Sequence, residues 1–286
     1  MDGRAHAPAA GTILNALANE RGAAFAIDLE TTAIVSLDGS EDIRGEIDGA
    51  PEADTALIER CVELAIEEYG DGVNGQVSGG FVRTESEVPL AAGLKSSSAA
   101  ANATVLATCA ALGVEADPLE ACRLGVRAAR EVGVTVTGAF DDASASMLGG
   151  VTVTDNSADE LLANEAVEWD VLVWTPPERA FSADADVESC RKVSPIADVV
   201  AELALQGRYG QAMSVNGFAF CGALDFPTGP MLEALPDVEG VSLSGTGPSY
   251  VAVGDRHVLA DLREEWEIRD GTTWLTTTRT EGARTE

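Results

Sequence analysis

Leu57, Ile58, Cys61, Leu64, Ala65 and Tyr69 recur at helical spacing, so residues 54–69 are predicted to form a helix capped by Asp54. Two apolar runs, residues 23–27 and 32–37, flank the polar stretch Asp28-Leu-Glu-Thr and read as paired strands. Residues 77–88 read as extended and stop at Pro89. From Ser96 to Leu112 the chain is apolar nearly all round, which predicts a central, buried helix. Asp117-Pro118 supplies an N-cap and a first-turn proline for a helix ending near Gly133. Residues 147–154, with their double glycine, read as another strand.

A polar, acidic stretch at residues 155–164 marks the expected boundary, dividing the chain into residues 1–158 and 159–286. Beyond it, 170–174, 241–244, 250–253 and 272–278 read as strands, and 194–207, 209–224 and 256–267 as helices. Strands and helices are mixed without strict alternation, which predicts an α+β architecture in two layers.

Composition changes this picture mainly through charge. The chain has 286 residues, 45% of them apolar, enough for a substantial core. Against 48 Asp and Glu stand 18 Lys and Arg, a net charge of −30, and only Lys95 and Lys192 are lysines. The acids are scattered and form no tail, the signature of a surface adapted to molar salt, where the Debye length is about 3 Å. The fold is therefore expected to loosen in dilute buffer, and a circular dichroism spectrum unchanged on removing salt would refute this. Such charge excludes nucleic-acid backbone binding, and the absence of a long apolar run or basic-then-apolar leader points to a soluble, cytoplasmic protein with no membrane partner. Cys61, Cys109, Cys122, Cys190 and Cys221 occur singly, without zinc-ligand spacing, and Cys61, Cys109, Cys122 and Cys221, in apolar surroundings, read as reduced core residues. His6 and His257 are too isolated for a metal cluster or a Ser-His-Asp arrangement.

Three segments carry the candidate chemistry. In the first, Pro89, Leu90, Ala91, Ala92, Gly93, Leu94, Lys95, Ser96, Ser97, Ser98 and Ala99 run from a strand into the long alanine-rich helix. A helix start offers unpaired amides and the positive end of the dipole to an anion. Gly93 permits close backbone approach, Lys95 adds a point charge, and the serines can cap the helix, touch phosphate or bind Mg²⁺. The spacing departs from Walker A, because Leu94 separates Gly93 from Lys95. The second segment, Gly138-Ala-Phe-Asp-Asp-Ala, sets Asp141 and Asp142 among small residues, where a carboxylate could orient or deprotonate a hydroxyl. The third, Ser244-Gly-Thr-Gly-Pro-Ser249, is a tight turn whose amides could form an anion nest. Each alone also admits a plain structural role: a core helix begun by serines, an Asp pair capping a helix, a strand connection.

Taken in order, these segments and Ala7-Pro-Ala-Ala-Gly-Thr-Ile-Leu-Asn15 resemble the motifs of the GHMP kinases over essentially the whole chain. Gly93-Leu-Lys-Ser-Ser-Ser-Ala-Ala-Ala-Asn102 and Gly138-Ala-Phe-Asp-Asp-Ala143 are most similar to the archaeal shikimate kinases, and Lys95 and Ser98 depart from the Gly-Leu-Gly-Ser-Ser-Ala of mevalonate kinases. The resemblance implies an N-terminal domain like ribosomal protein S5 domain 2 and a ferredoxin-like C-terminal domain, with the nucleotide between them. It implies that residues 91–98 wrap the phosphates of ATP, that Ser97 reaches Mg²⁺, and that Asp141 is the catalytic base, with Lys95 neutralising charge. Gly245, Thr246 and Gly247 are expected to pack on the phosphate loop; Asp142 replaces the family's Asn, with an open role. The implied reaction is ATP-dependent phosphorylation of shikimate to 3-phosphoshikimate on the route to chorismate and the aromatic amino acids. Homoserine or mevalonate kinase chemistry, or a ligand-sensing member without transfer activity, stay open here. Arg83, Arg191 and Lys192 are candidates for gripping an acceptor carboxylate.

Overall fold

The computed structural model describes residues 1–70, 77–89, 91–137, 139–178, 180 and 185–286, so Leu90 and Gly138 lie outside the described residues. Two long strands, β1 (Asp2–Leu14) and β2 (Arg21–Asp38), run antiparallel for most of their length. β1 is alanine-rich and buried on both faces from Ala7 onward, so it lacks the alternation of a half-buried strand. Residues 23–27 and 32–37 are not a pair of strands but parts of β2. The polar stretch between them is a bulge: Pro8 pairs with Glu30 and Ala9 with Ile27, leaving Asp28 and Leu29 as extra residues.

β2 shares its other edge between β4 (Gly79–Ser86) and β5 (Val151–Asp155). The seven-stranded sheet is completed by β3 (Ile43–Ile47) beside β4, β6 (Glu160–Glu165) beside β5, and β11 (Arg284–Thr285) beside β1. Helices α1 (Ala56–Tyr69), α2 (Ser96–Leu112), α3 (Pro118–Glu131) and α4 (Phe140–Leu148) pack with it around one core. Asp117 caps α3 by accepting the Leu119 and Glu120 amides at 3.0 and 3.1 Å. α1 starts one residue later than expected: its cap position is Thr55, while Asp54 accepts the Ala56 amide at 2.9 Å. α4 runs through Met147, so the strand expected from residue 147 begins only at Val151, after Gly149-Gly150.

Residues 155–164, expected as the boundary, lie in the β5–β6 hairpin of this sheet. The second sheet begins at β7 (Asp170–Thr175) and adds β8 (Gly240–Leu243), β9 (Tyr250–Gly254) and β10 (Thr272–Thr277) in the order β10-β7-β9-β8. With it belong α5 (Val187–Lys192), α6 (Ser194–Leu205), α7 (Tyr209–Leu224), α8 (Gly229–Ala234) and α9 (Arg256–Trp266). Ile13, Leu14, Phe25 and Val151 share one core with Val171, Val200, Met213 and Leu243, so β1 and β2 are sandwiched between two layers. That sandwich is why β1 needs small residues on both faces: a Cβ on Gly11 would enter the Phe25 ring. All five cysteines are free and buried, Cys190 with the four expected in the core, and burial pushes every thiol up in pKa. Among the described residues, no helix is long and apolar enough to cross a membrane.

Candidate active site

The loop before α2 is held by its carbonyls. Ala91 O accepts from the Ala180 amide (3.1 Å), Gly93 O from Ser244 Oγ (2.8 Å) and Leu94 O from the Ala10 amide (3.3 Å), while Ala92 O accepts from Ser249 Oγ. In a trans peptide the C=O and the following N–H point in opposite directions. Four successive carbonyls tied to the scaffold therefore turn the amides of Ala92, Gly93, Leu94 and Lys95 to the other side. The first helical bond runs from the Ala99 amide to Lys95 O (3.0 Å), and no amide from residue 92 to 98 donates to another described residue. Ala91 (φ 57°), Gly93 (φ 78°) and Lys95 (φ 63°) all adopt the left-handed region to make this turn. The cap of α2 is thus Lys95 itself; none of the serines caps the helix with its side chain, and its first turn contains no acid. The result is an array of unpaired donors at the positive end of a long helix, suited to an anion.

Across from it, Gly245-Thr-Gly247 is clamped to β1 and to the loop. The Gly245 amide donates to Thr12 Oγ1 (2.7 Å), and Asn15 Nδ2 donates to Gly245 O (2.8 Å). The Asn15 amide in turn donates to Asn216 Oδ1 (3.0 Å), whose Nδ2 donates to Ser242 Oγ (3.0 Å). Gly93, Gly245 and Gly247 have positive φ, and Gly93 has no room for a side chain: a Cβ there would lie 2.4 Å from Ser244 O and 2.8 Å from Gly247 O, while one on Gly245 would press on Lys95 Nζ.

Asp141 and Asp142 sit in the first turn of α4, whose cap position is Ala139 in the left-handed region; they do not cap it but complement its dipole. Asp141 is 4% exposed. Its Oδ1 accepts from Asn156 Nδ2 (2.7 Å), and its Oδ2 receives no hydrogen bond from a described residue. Gly22 makes the space, since a Cβ there would come within 2.5 Å of Oδ2. Burial first, and then the Asp142 charge, holds the Asp141 carboxyl well above the usual carboxylate range, while Lys95 and Asn156 act against them. Asp142 Oδ1 pairs with Lys95 Nζ at 2.8 Å, the two side chains being 14% and 8% exposed.

Lys95, Asp141, Asp142, Gly245 and Thr246 thus line one cleft, joined by Asn15 and Thr137. Ser97 and Ser98 line an adjoining crevice that shares Thr135 and Ala139 with it. Ser96 opens the helix, Ala91 and Ala92 lie in the loop, Pro89 is exposed at its start, and Leu94 and Ala99 turn into the core. Arg83, Arg191 and Lys192 do not line the cleft: Arg83 is ion-paired with Asp48 and Glu85 on the outer sheet, and the other two are exposed on α5. Thr12, Asn15, Asn156, Asn216, Ser244 and Ser249 hold the site, yet nothing in their own segments marked them individually. For Asn15 the available signal was a lone amide ending an apolar run.

Among the described residues no cluster of three or more His, Cys, Asp or Glu could hold a metal. Mg²⁺ does not require one, because it keeps several waters and takes one or two protein ligands beside phosphate oxygens. The exposed Ser97, whose hydroxyl has no partner among the described residues, stands beside amides that donate to no described residue, and fits a hydrated ion bound together with phosphate.

Residues 56–150 match the N-terminal domain model of the GHMP kinases. A homoserine kinase from Cytophaga hutchinsonii superposes with a TM-score of 0.76 at 15% identity, covering 100% of this chain and 97% of its own. The Methanococcus jannaschii mevalonate kinase gives 0.76 at 15% identity, covering 96% and 98%. In sequence, a shikimate kinase of Halobacterium salinarum strain R1 is 65% identical over 288 residues, covering 100% of both chains. One from Methanosarcina acetivorans is 54% identical over 269 residues, covering 93% of this chain and 90% of its own. Full-length identity at this level goes beyond likeness of fold, and the chain belongs to the GHMP kinases, in the family of archaeal shikimate kinases.

Proposed function

We propose that this kinase transfers the terminal phosphoryl group of ATP to a hydroxyl of shikimate, giving 3-phosphoshikimate and ADP. One observation carries the reading: Lys95, in a loop whose amides donate to no described residue, lines one cleft with the buried Asp141, and Ser97 and Ser98 line the crevice adjoining it. Phosphoryl transfer asks a protein mainly for positioning and charge stabilisation. The loop amides and the α2 dipole hold the phosphates, and Lys95 leaves Asp142 to add its charge to the oxygens that gain negative charge in the transition state. Asp141 Oδ2 accepts the acceptor hydroxyl, holds it in line and takes its proton, a role suited to a carboxylate whose proton affinity burial has raised. Ser97 would hold Mg²⁺, which supplies further charge neutralisation on the phosphates. Gly245, Thr246 and Gly247 close the cleft and keep the loop in its bound shape.

We place the working medium in molar salt, where a net charge of −30 is screened. The test is ADP release from ATP in molar KCl, with shikimate, homoserine or mevalonate, with and without Mg²⁺. The expected result is release with shikimate and Mg²⁺ alone. Turnover of another acceptor in preference to shikimate, or of none, would refute the assignment.

A further inference from the structure

The turn between β5 and β6 reaches α4 and grips Asp141 from behind. Asn156 donates from Nδ2 to Asp141 Oδ1 (2.7 Å), while its Oδ1 accepts the Asp141 amide (3.2 Å) and Thr154 Oγ1 (2.8 Å). The orientation of this side chain is fixed by chemistry: a backbone N–H can only donate, so the oxygen must face it and the amide nitrogen must face the carboxylate. Asn156 is itself buried, with its backbone amide on Glu20 O (2.8 Å). Its carbonyl accepts from Arg130 Nη2 (3.2 Å), which also donates to Thr137 O (2.9 Å) in the cleft wall. The same guanidinium meets Asp159 with both terminal nitrogens, at 2.6 and 2.7 Å, a bidentate pair that holds its plane. One fork therefore binds the cleft loop, the Asn156 backbone and the end of the turn.

We propose that Asn156 is the positioning residue of this active site, aiming the free Oδ2 of Asp141 at the acceptor hydroxyl, and that Arg130 and Asp159 hold it in register with the loop at residues 135–137. The proposal rests on the reading of Asp141 as the proton acceptor. By occupying Oδ1, the Asn156 amide leaves Oδ2 as the oxygen that takes the proton. The charged groups facing Asp141 are Asp142 from its own helix and Lys95 from the phosphate loop; Asn156 comes from the hairpin and the uncharged Gly22 from β2, and the Arg130–Asp159 pair stands behind Asn156.

The test compares wild type, Asn156→Ala, the isosteric Asn156→Asp and Arg130→Lys as full-length enzymes in molar KCl, with Asp141→Asn in parallel. Asn156→Ala is expected to lower kcat by about 10- to 100-fold with KM for ATP within about twofold, and to move the acidic limb of kcat to higher pH. Asn156→Asp, which preserves shape for folding, moves that limb further, because two facing carboxylates share a proton. Arg130→Lys, which keeps the charge and loses the fork, lowers kcat in the same direction by about threefold. An unmoved limb in both Asn156 variants, whether or not kcat falls, overturns the proposal. Undiminished activity in Asp141→Asn overturns the underlying reading instead, and the proposal with it.

Discussion

Helices α2 and α4 both start from a non-glycine residue in the left-handed region, Lys95 (φ 63°, ψ 30°) and Ala139 (φ 52°, ψ 43°), and neither start is capped by a side chain. From there they diverge. The first turn of α2 holds three serines and no acid, whereas the first turn of α4 holds Asp141 and Asp142. Two equivalent backbone devices therefore present opposite chemistry to neighbouring parts of one cleft. α2 leaves its positive end open to receive negative charge, and α4 supplies its own. The ion pair between Lys95 and Asp142 bridges the two, so the charge of one helix start is balanced on the other until a ligand intervenes. That balance gives a reason for a strongly acidic chain with only two lysines to place one of them here.

The largest effect is expected from neutralising the acidic start. Asp141→Asn should lower kcat by about 100-fold or more while sparing ATP binding. It should also stabilise the fold. The folded carboxylate has its pKa raised above the unfolded value, so above the ordinary carboxylate range the unfolded chain ionises more readily and folding loses stability as pH rises. Thermal melts in molar KCl should therefore show a gain of about 3 °C or more for Asp141→Asn at pH 8 that shrinks towards pH 4. A uniform loss at both values would contradict the electrostatic account.

Breaking the bridge comes next. Lys95→Ala removes a phosphate partner and leaves Asp142 unpaired beside Asp141, so kcat/KM for ATP should fall by about 100-fold and the acidic limb of kcat should move to higher pH. Adding Asp142→Asn to Lys95→Ala should return the limb but not the ATP affinity. If the single variant leaves the limb in place, the two helix starts are not electrically coupled. A smaller effect, roughly a tenfold rise in the Mg²⁺ needed for half-maximal rate, is expected for Ser97→Ala, with little change in kcat at saturating Mg²⁺. An unchanged Mg²⁺ dependence would remove Ser97 from the ion.

Local signals made much of this site readable in advance. The Gly93-to-Ser98 stretch, the Asp117-Pro118 cap and the Asp141-Asp142 pair each act over a few residues, so their chemistry stands in a short segment. Long-range features were hidden. β1 consists of small residues buried on both faces and shows no period, and the bulge at Asp28 and Leu29 looks like a turn. Small Ala and Ser residues likewise masked the length of α4, and the expected strand started too early. Thr12 and Asn15 meet Gly245 across more than 200 residues, so their value depends on the closed structure. The acidic run at residues 155–164 is polar enough to suggest a boundary, and its polarity hides the hairpin turn that delivers Asn156 to Asp141.

The most direct test is a crystal structure of the protein in molar salt with a non-hydrolysable ATP analogue, Mg²⁺ and shikimate. The terminal phosphate should sit on the amides of residues 92–98, Lys95 Nζ should have moved from Asp142 to a phosphate oxygen, and a shikimate hydroxyl should lie on Asp141 Oδ2, about 3–3.5 Å from the terminal phosphorus. Phosphates bound away from those amides, or an acceptor hydroxyl out of reach of Asp141, would contradict the account.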